Sequence, residues 1–199
     1  MSRTSQIVTR VRLRLKQIDV QNIQDGEIYD IMNYVQNDIL AKTKCLENQY
    51  TISLVSGSDS YYFPGSASVY IKTLIYNQAG YADQVLWYAN TNQWLERYFH
   101  ISGSPPQYYT QFGNQLKVSP VPLTSGSFLI YGYQNTISYN VTSSAEEPEI
   151  PVWFDNALAL GVMAEFDPKY FQLYEQALRD GAYQTHNKSS RQLDGVVNW

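Results

Sequence analysis

Glu146, Glu147 and Glu149 place three carboxylates within one short stretch. A close pair of such groups is what a glycoside hydrolase uses to protonate a leaving oxygen and to attack the sugar or activate water. The stretch is polar and lacks apolar periodicity, and acids in such a connector are ordinarily solvated. His100 and His186 lie in different segments, with no Asp or Cys spaced to act beside them. The single cysteine, Cys45, has no disulfide partner, and with only two histidines a structural zinc site lacks soft ligands. Gly-x-Ser-x-Gly, a glycine-rich phosphate loop and His-Glu-x-x-His do not occur. The expectation is a chain that is not an enzyme and uses no cofactor or metal, with hydrolysis at Glu146, Glu147 or Glu149 as an alternative.

Other residues suit binding. Arg3, Arg10, Arg12, Arg14 and Lys16 are five of the 14 basic residues and fall in the first 16 positions, which contain no acid. On an ideal helix Arg3, Arg10 and Arg14 edge the Ile7, Val11, Leu15 stripe, while Arg12 and Lys16 point to the other side. Charge spread in this way fits subunit pairing, a DNA-facing channel wall or an ordinary solvated helix, and not a single groove-tracking patch. Trp87, Tyr88, Trp94, Tyr98, Tyr108 and Tyr109 carry faces that stack on sugars or bases, so an aromatic-rich glycan-binding module is a second alternative. Aromatics at strand spacing more commonly fill a core. Near the C-terminus Leu193, Val196, Val197 and Trp199 are apolar anchors on a segment too short and polar to fold alone.

Composition narrows the class. Charged residues make up 16% of the 199 residues, against about 25% in ordinary domains. Aromatics reach 15% with 18 Tyr, so the surface is built from neutral polar groups and tyrosine, which suits large fixed interfaces. A net charge of −4 argues against a protein whose main task is to neutralise phosphates. Lone Cys45 fits a reducing interior. No apolar run approaches the roughly 18 to 20 residues of a membrane span, and no h-region follows the basic start, so neither a signal peptide nor a membrane partner is expected.

The elements follow from periodicity. Ile7, Val11, Leu15 and Ile18 predict a first helix with Ser2, Thr4 and Ser5 as caps; Asp25 is a candidate cap for a second carrying Ile28, Met32, Val35 and Ile39. From Tyr50 the period becomes two, in Tyr50, Ile52, Leu54 and in Val69, Ile71, Thr73. Gly113-Asn114 marks a hairpin after Tyr108-Tyr109. Pro151 is placed to open a helix with Phe154, Leu158 and Met163, and Asp167-Pro168 to start a last one through Phe171, Tyr174, Leu178 and Tyr183. The predicted fold is α+β: a helical bundle from N- and C-terminal helix pairs with an inserted antiparallel β-rich region. The divisions are 1–47, 48–142, 143–187 and an extended tail at 188–199.

In this frame the chain resembles the head-to-tail adaptor (connector, or head-completion) proteins of tailed bacteriophages, most closely those of short-tailed phages. The residues that carry the likeness are Tyr61-Tyr62-Phe63-Pro64, Gly103-Ser104-Pro105-Pro106-Gln107-Tyr108, Leu116-Lys117-Val118-Ser119-Pro120-Val121-Pro122 and Ile150-Pro151, spread over about residues 5 to 185. The resemblance implies a virion protein, assembled in the host bacterial cytoplasm, that forms a homo-oligomeric ring of about twelve copies. It implies as partners the portal protein, the next tail or nozzle protein, and genomic DNA passing without sequence recognition. It gives residues 187–199, with Leu193, Val196, Val197 and Trp199, a grip on the portal, and it lets the basic N-terminal residues face either DNA or neighbouring subunits.

Overall fold

The computed structural model describes residues 1–16, 23–63, 69–79, 82–99, 101, 103 and 105–194, with side chains as far as 185. The elements begin with α1 (Arg3–Lys16), α2 (Asp25–Thr43), β1 (Glu47–Ser53), β2 (Ser60–Tyr62), β3 (Val69–Asn77), β4 (Gln84–Val85) and β5 (Trp87–Tyr88). A short α3 (Thr91–Gln93) continues as a π-helical turn through Tyr98, followed by β6 (Tyr108–Phe112), β7 (Gln115–Ser119), β8 (Ser127–Gln134), α4 (Asp155–Phe166) and α5 (Phe171–Asp194). The class is α+β. The chain divides into two units, one from Met1–Leu46 with Asn135–Trp199, the other from Glu47–Gln134.

In the first unit, the Ser2 hydroxyl accepts the Ser5 N–H and caps α1, whose Ile7, Val8, Val11 and Leu15 are buried. Ile18 lies outside the described residues. Asp25 is not the cap of α2: Gln24 takes that position without a side-chain bond, and the Asp25 carboxylate instead pairs with Arg12 across the α1–α2 connection. Nor does Pro151 open α4. It precedes a 3-10 turn at Val152–Phe154, and α4 begins only at Asp155.

Helix α4 has no polar stripe: Ala157, Leu158, Ala159, Gly161, Val162 and Met163 are all buried, the mark of a helix enclosed on most sides. It packs against α1, α2 and α5. Asp167 caps the Pro168–Tyr170 turn ahead of α5, as expected. Tyr174 and Leu178 then face inward, but Phe171 and Tyr183 are exposed. Nine residues beyond Tyr174, Tyr183 falls half a turn away on a helix of 3.6 residues per turn. The inward position there is Gly181, against the Phe154 ring. The helix continues to Asp194, past the point at His186 where its sequence pattern fades.

The second unit holds two four-stranded sheets, ordered β1-β8-β3-β4 and β2-β7-β6-β5. Pairing is antiparallel, as expected, except between β5 and β6, which run parallel over two residue pairs. Strands β1 and β8 pair along their whole length, with Glu47 opposite Tyr133. The β6–β7 hairpin turns through Gly113-Asn114, with Gly113 at φ 58°, a left-handed conformation that glycine adopts without strain. The expected alternation Val69, Ile71, Thr73 breaks, because the β3–β8 register shifts between Ile71 and Thr73 and hands the inward positions to Leu74 and Tyr76. The core gathers Leu54, Tyr61, Tyr76, Tyr109, Leu116, Val118 and Ile130 with Phe128. Tyr61 meets the Phe128 ring edge-on at 5.4 Å.

A Cβ at Gly161 would lie 2.5 Å from Val35 Cγ1 and 3.0 Å from the Tyr174 ring. Overpacking of this kind costs about 1–3 kcal/mol, and better helix propensity returns less than about 1 kcal/mol. Gly161→Ala is therefore expected to lower the denaturant midpoint, and an unchanged or raised midpoint would show that α4 does not pack as closely as described.

Candidate interaction surfaces

The acidic segment read as a solvated connector is bonded throughout. The Glu146 carboxylate accepts the Thr142 and Ser143 N–H groups and the Thr142 hydroxyl. The Thr142 backbone bond, foremost, holds the Glu146 carboxyl below its ordinary value. Glu149 accepts the N–H groups of Ser138, at 2.8 Å, and Tyr139, at 3.0 Å, while Glu147 accepts that of Arg3 at 3.2 Å. These bonds tie the three carboxylates to the backbone around them.

The same segment seats the start of α1. The Arg3 guanidinium bonds both oxygens of Asp155, Nε at 3.2 Å and Nη2 at 2.5 Å, and adds the carbonyls of Pro148 and Ile150 at 3.2 Å and 2.9 Å. This is the forked geometry that makes arginine the preferred residue at such a site. Ser2 and Thr4 donate their hydroxyls to the Ser144 and Glu146 carbonyls. On the α2 side, buried Asn33 bonds the Val141 carbonyl at 3.0 Å and its N–H at 2.8 Å, and Gln36 accepts the Glu149 N–H at 3.0 Å. Sequence reasoning missed Asn33 and Gln36; the signal was two amides placed among Met32, Val35 and Ile39 on an otherwise apolar face.

The basic residues thus differ in role. Arg3 is engaged within its own unit, Arg10 bonds Asn156 at 2.8 Å, and Arg12 pairs with Asp25 and bonds the Ile23 carbonyl. Arg14 and Lys16 are exposed near the end of α1.

In the second unit the six aromatics separate. Trp94 and Tyr109 are core, and burial pushes the Tyr109 phenol up to about 12. Tyr98 and Tyr108 stack on each other at 4.2 Å. Trp87 and Tyr88, on edge strand β5, are 70% and 60% exposed, and Val85, Leu95, Phe99 and Ile101 are exposed from neighbouring segments of the chain. The exposed Trp87-Tyr88 pair on an edge strand is a candidate contact surface. His100, Val196, Val197 and Trp199 lie outside the described residues, as do the side chains of His186 and Leu193. Among the described residues no helix is long and apolar enough to cross a membrane, and no His, Cys, Asp and Glu cluster could hold a metal.

The carboxylates are thus bound to backbone, Arg3, Arg10 and Arg12 are engaged in cis, and Trp87 and Tyr88 are displayed at a sheet edge. A protein-family model described as SU10 adaptor protein matches residues 2–196, and the chain belongs to that family. It is a bacteriophage adaptor protein, a structural component of the virion, as the resemblance implied. None of the curated proteins compared with the chain matches it.

Arg3→Ala removes a charged anchor that is about a quarter exposed and is expected to cost about 1–3 kcal/mol in denaturant unfolding, with Arg3→Lys failing to restore it. The Glu146 carboxyl titrates below its unfolded value, so its stabilisation is present above that value and lost as pH falls through the folded one. Thermal melts of Glu146→Gln are therefore expected to show lower stability at neutral pH and a shallower acid slope than the parent; equal slopes would deny the carboxylate this role.

Proposed function

We propose that this adaptor is the subunit of a ring, of about twelve copies, that joins the portal vertex to the tail, extends the DNA channel and helps to retain the genome. The observation that carries the reading is the family match over residues 2–196. A bundle of the N- and C-terminal helix pairs would form the ring body, consistent with one hydrophobic core that draws on α1, α2, α4 and α5. Residues 187–199 would dock on the portal through Leu193, Val196, Val197 and Trp199. The exposed Trp87 and Tyr88 edge would meet the next tail or nozzle protein. Arg3, Arg10 and Arg12 are satisfied within the chain, which favours passage of DNA without sequence recognition over a reading head for it. Assembly in the host cytoplasm accords with the single cysteine.

Exposure of Trp87 favours one other reading, glycan binding. Light scattering of the full-length protein with the purified portal ring of its phage is expected to give one adaptor per portal subunit, and a chain ending at Asn187 is expected to lose that association. Absence of binding in the full-length form, together with a change in Trp fluorescence on titration with cell-surface glycan, would replace the adaptor ring by the glycan-binding module.

A further inference from the structure

Two helix faces of the first unit are left uncovered, and they are of opposite charge. On α1 the buried positions Ile7, Val8, Val11 and Leu15 leave Leu13 at the centre of the outer face, 62% exposed. A concave surface around it is lined by Met1, Gln6, Thr9, Arg10 and Arg14. No acid occurs anywhere in this helix. On α2 the buried positions Ile28, Met32, Val35 and Ile39 leave Tyr34 at the centre of the outer face, 64% exposed, between exposed Glu27 and Asp30. Asp38 lies on the same side but is already bonded to the Tyr174 hydroxyl and Lys42.

We infer that the outer face of α1 on one copy of this chain docks on the outer face of α2 on the next. The inference rests on the ring reading above and assigns that ring its lateral contact. Each face centres on one large exposed side chain; the α1 face is edged by arginines, and the α2 face carries Glu27 and Asp30 beside Tyr34, with Lys42 engaged by Asp38 farther along the helix. Pairing α1 with α1, or α2 with α2, sets like charges together, whereas pairing α1 with α2 covers Leu13 with Tyr34 and sets arginines against Glu27 and Asp30. Tyrosine supplies contact area at low entropic cost and leaves its hydroxyl to bond at the rim. Because the two faces belong to different helices of one unit, every bound copy keeps an open α1 face on one side and an open α2 face on the other. A contact of that heterologous kind propagates and, where the rotation allows, closes on itself. Individual exposed ion pairs are weak and screened by salt, and closure repeats them around the ring.

The test uses two full-length variants, Leu13→Cys and Tyr34→Cys, mixed on the purified portal ring under mild oxidation. Cys45 is buried and its thiol is pushed up by that burial, so it competes poorly for oxidation. A covalent dimer of mixed composition is expected in the mixture and in neither variant alone. Glu27→Lys combined with Asp30→Lys is expected to reduce ring yield at least tenfold at low salt, with folding unchanged by circular dichroism. A ring that assembles with no mixed dimer, or that cross-links through Leu13→Cys alone, overturns the assignment and leaves the ring reading standing. If the charge-reversed ring forms normally and only DNA retention fails on changing the α1 arginines, the α1 face belongs to DNA and the assignment is again lost. Absence of any ring by light scattering removes both readings together.

Discussion

Everything in the first unit depends on one helix having nowhere to show a polar face. Helix α4 buries Ala157 and Ala159 as well as Leu158 and Val162, so its neighbours must surround it, and they come from both ends of the chain. Small residues make this possible. Gly161 lets Val35 of α2 and Tyr174 of α5 approach more closely than a methyl group would allow, and Gly181 does the same for Phe154. The apolar area removed from water, at about 25 cal/mol per Å², is the term that offsets the entropy of bringing residues 1–46 back to residues 135–199.

A segment that crosses such a core edge carries backbone donors and acceptors that need partners. The connector before α4 finds them in three acids, two buried amides and one arginine. Read alone, the acids were candidates for hydrolysis and Arg3 for a DNA-facing wall or subunit pairing, while Asn33 and Gln36 were passed over. Together they form one bonded layer between the start of α1, the middle of α2 and the start of α4. Arg3 meets a carboxylate and two carbonyls in a partly buried setting, and the other basic residues of α1 follow farther along the helix.

Elements with a strong local period were legible: the apolar faces of α1 and α2, the hairpin at Gly113, the Asp167 cap. What the pattern could not supply was any feature set by a partner distant in sequence. Asp25 reads as a cap until Arg12 is known to lie across from it. Thr73 reads as an inward position until β8 imposes a shift of register. Tyr183 continues a helical stripe by eye and fails it by angle, since the five-residue step from Leu178 turns it about 140° away. The six aromatics of the middle segment could be listed from the sequence but not sorted, because whether Trp87 is displayed and Trp94 enclosed depends on which strand lies at the edge. The family likeness needed none of this, resting on the order of short turn motifs that survive between the helical pairs.

The antiparallel pairing of β1 with β8 means that the chain enters and leaves the second unit through adjacent strands, about 4.8 Å apart, at Glu47 and Tyr133. To the rest of the molecule the whole of Glu47–Gln134 is then topologically equivalent to a surface loop of a few residues. Insertions with ends so close are the kind that folded hosts tolerate. This unit is in that sense a cassette: the helical part can keep its connectivity and core while the inserted part is lengthened, recombined or exchanged, so that the two can change as separate traits.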